Sequence, residues 1–280
     1  MILITGGTGQ VGSALIRILK NEGLNFDAPN RALLSLDNPQ EVEKYLKQRE
    51  FSAIVHLAAE TNVDFCEINQ DVALIRNFVS TRALADAARK NSIPFIFVSS
   101  SAVLSGDGQF THSENSSFSP SNFYGRTKML AEEYITNHCD NYLIIRASWM
   151  LGRGSQVKKF AEIAYEKILA GDHFAAVYDK FGSLTSADEL AKIIRRSLSL
   201  ELSETIHYSS YTPCSRYDVA KYIKNSLNSN SFIEPVASTN FILDAPRGFS
   251  EGLQVERIVE LFQISPRTWE DELETFLKEI

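Results

Sequence analysis

The chain of 280 residues is poor in cysteine, poor in histidine and without a long apolar run. Its three cysteines, Cys66, Cys139 and Cys214, are scattered and form no C-x-x-C pair. An odd, dispersed set reads as free thiols in a reducing, cytoplasmic compartment. His112, His138, His173 and His207 lack metal-ligand spacing, and "CEINQD" is not a metal loop, so no metal is expected. No stretch approaches the roughly 18 apolar residues of a membrane span. The N-terminus enters "MILITGG" at once, which leaves no room for a signal peptide. Positive charge is also short. Lys and Arg total 28 against 35 Asp and Glu, a net charge of −7, which argues against a nucleic-acid partner. Neither an internal repeat nor a low-complexity tract is visible. What remains is 44% hydrophobic and 22% charged, the balance of a globular protein long enough for one large domain or two small ones.

The first stretch with a mechanism is "MILITGGTGQVGSALIRILKNEG". Ile2-Leu3-Ile4 is a short apolar run suited to a buried parallel strand. Gly6, Gly9 and Gly12 follow at G-x-x-G-x-x-G spacing, and Val11, Leu15, Ile18 and Leu19 form a helical stripe. Glycines at a strand-to-helix turn let a backbone approach a pyrophosphate, which the helix N-terminus then faces. The candidate dinucleotide contacts here are Gly6, Gly9, Gln10, Val11 and Gly12. In "LNFDAPNR", the position beside an adenosine ribose is occupied by Asn30, followed by Arg31. With no carboxylate at that position and a guanidinium next to it, NADPH is favoured over NADH. NADH stays open, because Asp27, three residues earlier, is the other acid in reach.

Alternating β and α signals continue to about residue 150. "FSAIVHLAA", "IPFIFVSSS" and "YLIIRASWM" read as strands, and "IRNFVSTRALADAARKN" as a helix with Phe78, Ala85 and Ala88 on its apolar side. The pattern predicts an α/β fold with a doubly wound parallel (Rossmann) sheet over residues 1–150. A smaller α/β substrate-binding lobe follows over 151–280, part of which is free to return to the sheet. Ligands in such sheets bind at the carboxyl ends of strands, where the Gly6 turn, Ala58, Ala59, Thr61, Val63, Ser100 and Trp149 fall.

"SNFYGRTKMLAEEYI" places Tyr124 and Lys128 four residues apart. On a helix such residues are neighbours, so the spacing alone decides nothing. With T-G-G-T-G-Q-V-G, Asn77, Ser100 and Y-G-R-T-K in this order, the chain resembles the extended short-chain dehydrogenase/reductase family. Within it the chain is similar to the dTDP-4-dehydrorhamnose reductases, through "LAAETNVDFCE", "NFYGRTKMLAEEYI", "IIRASWMLGRG", "DKFGSLTSADELA" and "SRYDVAKYI". The resemblance implies an NADPH-dependent reductase of the 4-keto group of a nucleotide-activated 6-deoxy sugar. A ketone accepting hydride develops alkoxide charge and needs a proton donor. Tyr124 is the expected acid. Lys128 is expected to lower the phenol pKa and anchor the cofactor. Ser100 is the expected orienting donor, and a water relay through Asn77 is implied by the family alone. An epimerase on the same fold, or a non-catalytic nucleotide-sugar-binding subunit, are the alternatives; a homodimer is one open arrangement.

Several positions depart from those reductases. Their S-T-D-Y-V-F is Ser99-Ser100-Ser101-Ala102-Val103-Leu104 here, so the carboxylate and aromatic expected to line the sugar pocket are absent from this run. G-x-P-T becomes Gly182-Ser183-Leu184-Thr185, and R-P becomes Arg247-Gly248. These changes predict poor turnover of dTDP-4-dehydrorhamnose and preference for a differently built 4-keto sugar nucleotide. Trp149 and Arg247 are candidate sugar and diphosphate contacts, with core and surface roles as their alternatives. Ser101 and Val63 complete the expected substrate wall. His56 reads as a packed core histidine, and Glu132-Glu133 and Lys158-Lys159 as solvated helix faces.

Overall fold

The computed structural model describes residues 1–153, 158–265 and 267–280. Its centre is a parallel sheet of six strands: β1 (Ile2–Thr5), β2 (Phe26–Asp27), β3 (Ala53–His56), β4 (Phe95–Ser100), β5 (Tyr142–Ala147) and β6 (Ser203–Tyr208). The order across the sheet is β6-β5-β4-β3-β1-β2. Successive side chains of a strand point to opposite faces, and two cores result. Ile4, Val55, Ile96 and Ile145 pack against helices α1 (Gln10–Asn21) and α4 (Ala187–Ser197). Leu3, Ile54, Phe95, Phe97 and Ile144 pack against α2 (Ser80–Lys90) and α3 (Phe123–His138). Burial on both faces explains why these strands read as nearly continuous apolar runs.

Strand β1 pairs with both β2 and β3. The winding therefore changes direction between β1 and β3, which opens a crevice at the carboxyl ends of the strands. Both β6 and α4 lie after residue 150, yet they complete this sheet and its covering layer. A third core, with Leu151, Ala164, Ile168, Leu184, Val219, Ile223, Leu273 and Phe276, forms the C-terminal lobe. No helix among the described residues is long and apolar enough to cross a membrane.

The expectation that Glu132 is solvated is corrected. Its side chain is 1% exposed and pairs with Arg146 of β5 at 2.8 Å. Arg146 Nε donates a further bond to the same carboxylate at 3.0 Å. A charge inside an apolar strand has to find a partner, and α3 supplies it. Arg146 Nη1 also reaches the Glu114 carbonyl at 3.3 Å and His207 Nε2 at 3.3 Å. The other ring nitrogen, Nδ1, faces the Gln254 carbonyl at 3.1 Å. Nδ1 therefore carries the proton, and Nε2 accepts from Arg146. His56 is likewise enclosed between Thr5 Oγ1 at 2.6 Å and Thr81 Oγ1 at 2.9 Å, a core histidine.

Both histidines are held neutral. Burial drives each pKa from 6.5 down to about 3, helped by the Lys128 charge at His56 and the Arg146 charge at His207. Below pH 6.5 the unfolded chain takes up protons that the folded protein refuses until about pH 3. The unfolded state then binds more protons, so stability falls as pH falls across that window. Each histidine contributes a slope of about 1.4 kcal/mol per pH unit there. Urea unfolding at pH 7 and pH 5 should show a clear loss at the lower pH. An unchanged midpoint would rule out buried neutral histidines as the cause of acid lability.

Candidate active site

The carboxyl ends of the strands line a cleft of about 1420 Å³. That exceeds the usual volume for one drug-sized ligand, roughly 300–1,000 Å³. One end is built by the turn after β1. Gly6 has φ +74°, and a Cβ on it would lie 2.7 Å from the Ala58 nitrogen. A Cβ on Gly12 would lie 2.2 Å from the Gly6 carbonyl oxygen. Turn, helix and β3 loop thus meet backbone to backbone. Helix α1 has no side-chain cap and no acid in its first turn, so its N-terminal N–H groups stay available to an anion. Gln10 donates to the Gly152 carbonyl at 2.5 Å and braces this end to the C-terminal half.

Beyond the turn lie Asn30 and Arg31. The Asn30 carboxamide oxygen accepts from the Ala32 and Leu33 N–H groups at 3.0 and 3.1 Å, which fixes a tight turn. That turn carries Asp37 back against Arg31 at 2.7 Å. Arg76 approaches Asp37 at 2.5 Å and Glu60 at 2.9 Å. A carboxylate that local spacing did not show, Asp37, thus stands beside Arg31 in the cleft. Asp27 is turned instead to Tyr45 at 2.7 Å and Arg49 at 3.3 Å. Hydrogen bonds from Arg76 and then Arg31 hold the Asp37 pKa down at about 2.

Ala58, Ala59, Glu60 and Thr61 form the middle of the cleft. Asn77 lies behind them, buried, in a π-helical turn over Ile75–Val79 that precedes α2. Its oxygen accepts from Glu60 N at 2.7 Å, and its nitrogen donates to Glu60 O at 3.0 Å and Thr127 Oγ1 at 3.1 Å. Its side chain thus ties the loop after β3 to α3. Such an insertion in a helix often marks a functional position.

Ser100, Tyr124 and Lys128 meet at the cleft's centre, brought there by the end of β4 and the first turns of α3. Asn122 caps α3 by accepting from Gly125 N at 2.9 Å. Burial pushes the Tyr124 phenol up to about 12, a hydrogen bond with Ser100 opposes it, and the Glu251 charge adds to it. The Lys128 ammonium donates to the Val98 carbonyl at 2.8 Å and lies 4.0 Å over the Phe97 ring. Burial brings its pKa down to about 7. Lys128 is not among the groups that shift the phenol. The ammonium instead acts on the buried His56, whose pKa it helps to lower.

The far end is lined by Val63, Trp149 and Arg247, together with Arg216 and Glu251. Arg247 pairs with Asp64 at 2.7 Å and donates to the Ala245 carbonyl at 2.7 Å. Arg216 lies 5.3 Å from the Trp149 ring and 5.1 Å from Phe160. It makes no ion pair or hydrogen bond among the described residues. Ser101 is buried behind the wall, and its hydroxyl donates to Glu251 Oε2 at 3.2 Å. Asp37, Arg76, Arg216 and Glu251 were not singled out in the sequence. Only the isolated acid within "GFSEGL" is a signal of sorts.

Over residues 1–280 the chain matches the family described as the RmlD substrate binding domain. It belongs to that family. The crystal structure of dTDP-4-dehydrorhamnose reductase from Yersinia enterocolitica is similar at 36% identity and a TM-score of 0.94, covering 99% of this chain and 98% of that one. The Bacillus anthracis enzyme of the same name, in complex with NADP, is 27% identical with a TM-score of 0.90, covering 100% and 99%. A spore coat polysaccharide biosynthesis protein of Bacillus subtilis, SpsK, is 27% identical over 99% of this chain and 97% of its own.

Proposed function

We propose that the chain is an NADPH-dependent reductase of the 4-keto group of a nucleotide-activated 6-deoxy sugar. The observation that carries this reading is the convergence of Ser100, Tyr124 and Lys128 in the same cleft as the Gly6 turn. The turn formed by Gly6 and Gly12 fits a dinucleotide pyrophosphate, because a Cβ at either would force apart the backbones that bring the uncapped α1 N-terminus to the cleft. A bound NADPH supplies the hydride. Ser100 orients the carbonyl oxygen, and Tyr124 delivers the proton to that oxygen as charge develops. A phenol held at about 12 stays protonated at neutral pH, which is the state an acid needs at the start of a reduction. Lys128, buried beneath the site, is assigned to cofactor anchoring. Cytosolic action on a soluble nucleotide sugar accords with three free, buried thiols. The decisive experiment mixes the protein with NADPH and a panel of nucleotide 4-keto-6-deoxy sugars. Absorbance loss dependent on one of them is expected; none with any would sink the assignment.

At the ribose end, Arg31 must leave Asp37 to meet a 2′-phosphate. Arg31→Ala should weaken NADPH by ~1–3 kcal/mol, the usual worth of hydrogen bonds to charged groups, and leave NADH nearly unchanged. Asp37→Asn should act in the opposite sense and tighten NADPH. Fluorescence titration with both cofactors checks this, and equal losses for both would show that Arg31 does not read the phosphate.

A further inference from the structure

The carboxylate missing after Ser100 is present in the cleft, supplied from elsewhere in the chain. Glu251 lies in the short strand Ser250–Leu253, which pairs with Phe181–Gly182 on one side and Thr111–His112 on the other. Its carbonyl accepts from Ser148 Oγ at 2.8 Å. The backbone is therefore fixed, and the side chain emerges beside Ser101 and Trp149. In the reductases that the chain resembles, an acid follows the catalytic Ser/Thr. Here Ser101 stands in that place and donates to Glu251 at 3.2 Å. The hydroxyl here follows Ser100, and the acid that it meets comes from the distant strand.

The carboxylate has acceptor capacity to spare. An ionised carboxylate offers about four acceptor sites. The Ser101 hydroxyl and the Trp149 indole are its hydrogen-bond donors. The two cations that help hold it ionised, Arg216 and Arg247, make no ion pair with it among the described residues, and Arg247 pairs with Asp64 instead. Burial raises the Glu251 pKa against these four groups. A carboxylate held this way in a cleft gains from further donors. Tyr124 and Glu251 line one cleft, and the Glu251 charge reaches the phenol. A sugar ring whose C4 carbonyl meets Tyr124 extends its hydroxyls along that cleft towards Trp149 and Glu251.

We propose that Glu251 is the sugar-recognition residue of this protein, its carboxylate accepting hydrogen bonds from ring hydroxyls of the nucleotide sugar. The proposal rests on the reductase reading. It also removes one reason to expect poor turnover of dTDP-4-dehydrorhamnose, since a carboxylate again faces the sugar.

The test is binding without cofactor, so that it does not depend on turnover. Calorimetry compares dTDP-L-rhamnose with dTDP. The wild-type chain should bind the sugar nucleotide more tightly than dTDP. Glu251→Gln and Glu251→Ala should erase that preference, a loss of roughly 10- to 100-fold, the range for a hydrogen bond to a charged group. Unchanged dTDP affinity would show that both variants fold. The exchange Ser101→Asp with Glu251→Ser should restore much of the preference. In kinetics, KM should rise with kcat held within a few fold. A preference that survives both variants, or is absent from the wild type, overturns the proposal. So does a fall in kcat with binding intact, which would make Glu251 a proton relay. Failure of every 4-keto sugar to oxidise NADPH would overturn the reductase reading alone.

Discussion

Tyr124→Phe should lower kcat by ~10²–10⁴-fold, the contribution of a well-placed acid, with NADPH affinity retained. The change removes one hydroxyl whose protein partner is Ser100. The ring keeps its place near the start of α3, where Asn122 caps the helix and Gly125 allows it to approach the Ala102 carbonyl. Folding should therefore be little affected, and the loss should lie in chemistry. Lys128→Ala is expected to behave differently. It removes a buried ammonium bonded to the Val98 carbonyl, and both turnover and cofactor affinity should fall. Steady-state rates with cofactor titrations separate the two. Wild-type turnover in Tyr124→Phe on the true substrate would show that another group delivers the proton.

The parts of this site written in local spacing could be read before folding. Three glycines at a strand-to-helix turn, a serine closing a buried strand, and Tyr124 with Lys128 one helical turn apart are short-range patterns with direct physical meaning. The sheet was legible for the same reason, since β1, β3, β4 and β5 are apolar on both faces. What escaped depends on distant pairs. Ser101 and Glu251 are 150 residues apart, and no spacing announces their contact. Asp37 is close in sequence to Arg31, but only the turn fixed by Asn30 brings them together. Arg247 had the right charge for a diphosphate, yet Asp64, 183 residues away, already holds it. Arg216 reads as an ordinary helix residue until Trp149 and Phe160 are seen beneath it. Local pattern thus picked out residues that meet in one cleft, and long-range packing decided which of the charges there are already paired.

Glu132→Gln should be among the most destabilising single changes in the chain, at about 3–5 kcal/mol, the cost of leaving a buried charge without its partner. Most other ion pairs here lie at the surface, such as Lys158 with Glu166 or Lys278 with Glu274, and exposed pairs are worth ~0–1 kcal/mol. Glu132 and Arg146 are 1% and 5% exposed. Removing the carboxylate's charge leaves the guanidinium bonded only to the Glu114 carbonyl and a neutral His207, with the Phe118 ring at 5.2 Å. The Glu114 carboxylate acts on it without an ion pair among the described residues. The pair also links α3, which carries Tyr124 and Lys128, to β5. The Glu132 charge raises the Lys128 pKa against burial, so its loss should depress that pKa further and weaken cofactor anchoring. Replacing both partners together, Glu132→Leu with Arg146→Met, should cost much less than either change alone, because no charge is then stranded. Urea unfolding of the two single variants and the double variant measures this coupling. A single-variant loss under about 1 kcal/mol, the range of a surface pair, would mean that water reaches the guanidinium and that the pair does not hold α3 to the sheet.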